Sequence, residues 1–180
     1  MRRKKQRAEE LSAASIQTAP QAERIVEPPQ ASIGLPEKLV VFRIGNEEYG
    51  AGIHEVREVN VPDRAVQIPG TPEFISGLIC LRGELIPLVN LRALFDTAGH
   101  EPPPSSKILV VEHNDERIGI LADSVSHILA LDRHQVEPVS QKFIGWIGKL
   151  PKRIVMILDL AAVFREIQGS SLRSEEHTSE

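Results

Sequence analysis

The sequence predicts an all-β protein built from two copies of one small barrel-forming unit, and three observations predict it. The chain resembles itself at a fixed offset of 69 residues. Its Val, Ile and Leu residues fall in runs of strand length bounded by Gly, Asn, Asp or Pro. About five such runs recur in each copy, which suits a small barrel.

The offset lays Leu39 to Phe95 on Ile108 to Phe164 without a gap, and 13 of the 57 aligned positions are identical. They include Glu47 with Glu116, Gly50 with Gly119, Val56 with Val125, Asp63 with Asp132, Phe74 with Phe143 and Leu81 with Leu150. The first copy opens with a strand from Leu39 to Ile44, turns at Gly45 and Asn46, and continues through an extended run from Tyr49 to Val59. The second repeats this with Ile108 to Glu112, a turn at Asn114 and Asp115, and Arg117 to Leu129. A further hairpin joins Leu78 to Leu81 with Leu85 to Val89 through Arg82 and Gly83. Its counterpart joins Ile144 to Leu150 with Ile154 to Leu158 through Pro151 and Lys152. Leu91 to Phe95 and Leu160 to Phe164 read as short helical turns closing each unit.

A unit of about 65 residues buries too little apolar area to outweigh chain entropy comfortably. The copies are therefore expected to dock on a shared core as one two-lobed body. The link between them, Thr97 to Ser106, is stiffened by Pro102, Pro103 and Pro104.

Residues 1–36 read as a tail rich in Ala, Gln, Glu, Ser and Pro, with a basic cluster at Arg2, Arg3, Lys4, Lys5 and Arg7. Glu9, Glu10 and Ser12 follow where a secretory signal would be apolar, so export is not expected. Residues 168–180 read as a second tail. Its end, Arg173 to Glu180, resembles a translated sequencing adaptor and is left out of fold reasoning. Between the tails, Glu37 to Ile167 holds 14 basic and 18 acidic residues, and the whole chain carries −4. An acidic body disfavours binding to a phosphate backbone. Five Phe, one Tyr and one Trp are too few for a base-stacking platform. No apolar run approaches the roughly 18 to 20 residues that span a bilayer.

Catalytic constellations are missing. The six histidines, His54, His100, His113, His127, His134 and His177, are scattered without metal-ligand spacing. Asp123, Ser124 and His127 contain the letters of a triad, but no G-x-S-x-G surrounds the serine. Gly50 to Glu55 lacks the third glycine of a dinucleotide fingerprint. Cys80, the one cysteine, excludes a disulfide framework and reads as a small packed hydrophobe between Ile79 and Leu81. The reading is therefore a non-enzyme with no cofactor and no metal. Two features stand out instead. The Arg82-Gly83 tip is either a plain exposed turn or an arginine reaching Glu58 as an ion pair. Val56-Arg57-Glu58-Val59 is either half-buried architecture or a partner-binding edge.

These residues resemble the CheW family, the coupling proteins of bacterial chemosensory arrays. The stretches that carry the resemblance are LVVFRIGNEEYG from Leu39, VREV from Val56, TPEFISG from Thr71 and, most diagnostic, LRGELIPLVNLR from Leu81. The second copy adds RIGILADSV from Arg117. Cys80 stands where the family usually has Asn before L-R-G, and Asn90 where Asp is common. The resemblance runs from about Leu39 to Phe164 and implies two SH3-like five-stranded β-barrel subdomains on one core. It implies a cytoplasmic, non-catalytic adaptor that bridges the cytoplasmic tip of a methyl-accepting receptor to the regulatory domain of the histidine kinase CheA. Such a protein meets the membrane only through the receptor array. By position, the receptor-facing groove involves Val56, Glu58, Gly77 and Ile128, and the kinase-facing surface Ile108, Gly119 and Val125. Arg82 and Gly83 serve conformation or coupling. Rival readings are a regulatory piece of a CheA kinase, a CheV-type fusion with a receiver domain, and a small β-barrel nucleic-acid binder using the basic tip.

Overall fold

Runs such as Leu39-Val40-Val41-Phe42 and Ile108-Leu109-Val110-Val111 are apolar at every position, which suits strands buried on both faces. The computed structural model describes residues 34–62, 64–96 and 101–173, and it shows why both faces are covered. Eleven strands, two α-helices and one 3-10 turn (Arg133–Gln135) follow one another along the described residues. The first copy supplies β1 (Lys38–Ile44), β2 (Glu47–Gly52), β3 (Val56–Asn60), β4 (Ile75–Leu81), β5 (Glu84–Val89) and the short α1 (Leu91–Leu94). The second supplies β6 (Lys107–His113), β7 (Glu116–Ala122), β8 (Ser124–Ala130), β9 (Val136–Pro138), β10 (Ile144–Leu150), β11 (Arg153–Leu158) and α2 (Leu160–Arg173).

The all-β, two-subdomain class stands as expected, but neither subdomain is one copy of the repeat. One sheet runs β8-β1-β2-β11-β10-β9 and the other β3-β6-β7-β5-β4. Each copy lends its first hairpin to the other copy's remaining strands. The exchange is reciprocal: β2 lies parallel to β11 with Gly50 opposite Ile157, and β7 lies parallel to β5 with Gly119 opposite Leu88. Those partners are equivalent under the 69-residue offset. A duplicated hairpin presents the same edges to its own copy and to the other, so strand patterning alone does not distinguish the two pairings. The extended run expected from Tyr49 to Val59 breaks at residues 53–55, and that from Arg117 to Leu129 breaks at Asp123. At these two breaks the chain crosses from one sheet to the other.

The exchange also explains the continuous apolar runs. Leu109 and Val111 of β6 face a cluster shared by both sheets, with Phe42, Tyr49, Val89, Ile120, Leu160 and Phe164. Ile108 and Val110 face the private interior of their own sheet, with Ile79, Ile86 and Leu88. The other sheet has its own interior around Leu39, Leu131, Val136 and Ile157. The scarce aromatics are spent inside: Phe42, Tyr49, Phe95 and Phe143 stand in a row with ring centroids 6.0, 5.6 and 5.8 Å apart.

Three further expectations are corrected. Leu35 packs against the Leu39 cluster, so the ordered body reaches back into the stretch read as tail. The turn expected at Leu160 to Phe164 is a helix of 14 residues that takes in residues 168–173 of the supposed second tail. Asp159 caps it by accepting from Ala162 N at 3.0 Å, and Leu160, Val163, Phe164 and Ile167 form its inward stripe. Asn90, the equivalent residue, caps α1 in the same way. Cys80 is exposed and not packed, because alternation along β4 turns Ile79 inward and Cys80 outward. Residues 1–33, 63, 97–100 and 174–180 lie outside the described residues, and with them the basic cluster and most of the suspected scar.

Candidate protein-docking surfaces

The outer strand β3 joins β6 through a bulge. Val56 pairs with Val111 and Glu58 with Val110, so Arg57 is the extra residue. Adjacent residues of β6 point to opposite faces, and the bulge therefore sends Val56 and Glu58 to opposite sides of the sheet. Val56 packs on the shared core, while Glu58 and Val110 line a cleft of about 300 Å³. The second copy repeats this geometry: Val125 pairs with Phe42 and His127 with Val41, leaving Ser126 as the extra residue.

Charged side chains ring the cleft. Arg82 Nη2 donates to Glu58 Oε2 at 2.9 Å, so the tip arginine is ion-paired and not merely an exposed turn. Arg57 and Arg117 both donate to Glu112, at 2.5 and 2.6 Å, and Arg117 reaches Glu84 at 2.6 Å. The hydrogen bond from Arg57, followed by that from Arg117, holds the Glu112 carboxyl below the usual carboxylate range. Arg82 and Gly83 take left-handed φ values of 52° and 85°, as a tight two-residue hairpin requires.

The equivalent place on the other sheet carries the same ion pair with its charges exchanged. Glu48 and Arg153, which correspond to Arg117 and Glu84, meet at 3.3 Å. His127, in the place of Glu58, lies 3.0 Å from Arg153 Nη2. Pro151 replaces Arg82, and a wider cleft of about 890 Å³ opens beside Glu48, Leu150 and Ile154. Asp123 is engaged by Arg92, so Asp123 and His127 serve different partners and form no triad.

The structure brings some of the expected residues together and separates others. Glu58 and Arg82 meet, with Gly83 beside them. Ile108 and Gly119 also meet, but inside. Ile108 is 1% exposed, and a β-carbon on Gly119 would stand 2.8 Å from its Cγ2, so the kinase-facing surface expected there is core. Gly77 is buried as well, at φ +141° with Val66 O 2.6 Å from where a β-carbon would be, and offers a partner no side chain. Val56 and Val125 are half-buried against the shared core. Ile128 is exposed on β8, the outer strand of the other sheet, away from the strand that carries Val56 and Glu58. The charge ring beyond Glu58 escaped sequence reasoning. So did the recurrence of exposed apolar residues in equivalent pairs, Val59 with Ile128 and Leu85 with Ile154. The 69-residue offset was the signal that could have found both. Among the described residues no three His, Cys, Asp or Glu side chains gather to hold a metal, and no helix is long and apolar enough to cross a membrane.

A family model described as a CheW-like domain matches residues 38–168. The chain is 30% identical to the chemotaxis protein CheW of Klebsiella aerogenes over 131 residues, covering 69% of this chain and 79% of that protein. It is 32% identical to the chemotaxis protein CheW of Treponema pallidum over 146 residues, covering 73% and 85%. The crystal structure of the scaffolding protein TtCheW from Thermoanaerobacter tengcongensis superposes with a TM-score of 0.64 at 32% identity, over 69% of this chain and 89% of that one.

Proposed function

The chain belongs to the CheW-like domain family, and from that premise we propose that it is a cytoplasmic, non-catalytic scaffold coupling methyl-accepting chemoreceptors to the regulatory domain of the histidine kinase CheA. The observation that carries this reading is the agreement of sequence and fold with chemotaxis coupling proteins across nearly the whole two-subdomain body. The geometry suits bridging: a reciprocal hairpin exchange makes one stiff body with two related but chemically different faces.

The receptor side of this proposal rests on Val56, Glu58 and Ile128, with Gly77 fixing the backbone of β4 against Val66. Receptor tips are helical, and a helix with an apolar stripe finds aliphatic contact at Ile128 on β8, Val59 being its equivalent on the other sheet. The kinase side rests on Val125 of β8, with Ile108 and Gly119 packed inside the other sheet. Arg82 and Gly83 tie the first tip to β3 through Glu58 and serve conformation or coupling. Contacts built on Val, Ile and Leu without exposed aromatic anchors are individually modest, so strength comes from many joints held close together.

Reconstitution tests it. The purified chain, added to receptor-bearing vesicles and the cognate kinase, is expected to raise receptor-dependent autophosphorylation. Kinase activity that does not depend on the added chain refutes the coupling role.

A further inference from the structure

The 69-residue offset lays the two clefts on each other, and the first shows what the second lacks. In the first, every charge is answered within the chain: Arg57 and Arg117 bind Glu112, Arg117 also binds Glu84, and Arg82 binds Glu58. In the second, three of these places change sign, with Arg43 for Glu112, Glu48 for Arg117 and Arg153 for Glu84. The outer counter-charges are not replaced in kind, because Ser126 stands for Arg57, Pro151 for Arg82 and Lys152 for Gly83. Arg153 reaches Glu48, but Arg43 and Lys152 enter no ion pair among the described residues. Glu47 at the rim accepts from the Tyr49 hydroxyl.

The lining of the second cleft is aliphatic between these charges. Leu150, Ile154 and Met156 contribute to its volume of about 890 Å³, and Ile154 is 59% exposed. Two unanswered cations beside an aliphatic floor suit an occupant that carries carboxylates on either side of an aliphatic residue. Residues 23–27 of this chain, Glu-Arg-Ile-Val-Glu, have that pattern. In an extended segment Glu23, Ile25 and Glu27 share one face, and Arg24 and Val26 the other. The length of chain also fits. The described body begins at residue 34, just before β1, whereas Arg43 lies near the far end of that strand. β1 has 7 residues, a span of roughly 23 Å. Residues 28–34 open with Pro28 and Pro29, which favour an extended chain of about 3.1 Å per residue, or roughly 22 Å over that stretch.

We propose that residues 23–27 of the chain's own amino-terminal arm fold back along β1 and cover the second cleft, with Ile25 on Ile154 and the carboxylates of Glu23 and Glu27 answering Arg43 and Lys152. The tether holds this segment at high effective concentration over its own cleft, which favours it over the same segment of a second copy. Exposed ion pairs are individually weak, so the cover opens readily and is loosened by salt. The first cleft, neutral within itself, stays uncovered.

A nitroxide attached through Ala22→Cys, with the exposed Cys80 removed by Cys80→Ser, tests the cover in the full chain. At low salt the methyl signals of Ile154 and Met156 are expected to broaden, while those of Ile79 and Ile86, inside the other sheet, keep their intensity. The broadening is expected to vanish in Glu23→Lys with Glu27→Lys, and to return when Arg43→Glu and Lys152→Glu are added. Unbroadened signals at the second cleft overturn the proposal and leave that surface to an acidic segment of another protein. Broadening that survives the two lysine substitutions overturns it too. So does broadening that arises only when nitroxide and isotope sit on different chains, which assigns the cleft to the arm of a second copy.

Discussion

Gly119 lies so close beneath Ile108 that a β-carbon there would stand 2.8 Å from Ile108 Cγ2 and 3.3 Å from Leu88 Cδ1. Its equivalent, Gly50, has Leu39 Cδ1 at 3.0 Å as its nearest neighbour, the mobile end of a longer side chain. Gly119→Ala is therefore expected to destabilise by about 1–3 kcal/mol through overpacking, and Gly50→Ala by less. Urea unfolding of the two variants checks the order. A bulky residue at Gly119 would report on folding and not on docking.

Arg82 and Glu58 pair at the surface, with the arginine side chain 84% exposed. Exposed pairs contribute about 0–1 kcal/mol, so Arg82→Ala should leave the melting temperature nearly unchanged. Coupling of receptor to kinase should nevertheless drop in the reconstituted assay if the tip sets the geometry of β3. A loss of activity that tracks a loss of folded protein would remove that role.

Asp123 carries more structural weight. It sits between the Arg92 guanidinium and the Gly45 backbone, and its removal leaves a largely buried arginine without this carboxylate. Asp123→Ala is expected to cost about 1–3 kcal/mol, read as a fall in the urea midpoint.

Glu112 supplies a pH signature. Arg57 and Arg117 depress its carboxyl, so its contribution to stability is present above the ordinary carboxylate range and is lost as pH falls through its lowered value. The stability gap between wild type and Glu112→Gln should therefore be open at neutral pH and close in acid. Denaturant titrations at several pH values measure it, and a gap that persists in acid contradicts the assignment.

Much of this architecture was legible in the sequence. The repeat, the hairpins and both tips follow from apolar runs and turn residues, because those signals are local. The exchange of hairpins was not legible, since duplicated edges are interchangeable and only three-dimensional closure decides between them. The bulge at Arg57 was equally silent, yet it reverses the face of every later side chain on β3 and so parts Val56 from Glu58. Positions transferred from family resemblance named sensitive places without saying whether they were surface or interior. Gly77, Ile108 and Gly119 proved to be interior. The length of α2 could also have been read better, from the Asp159 cap and the spacing of Leu160, Val163, Phe164 and Ile167.

The reciprocal loan of β1–β2 and β6–β7 means that neither repeat can complete a subdomain from its own strands. Severing the chain between α1 and β6 would yield two interlocked halves, each missing a wall that only the other supplies. The molecule thus has the form of a strand-swapped homodimer with its protomers joined in one chain, and the joining lets its two equivalent faces differ.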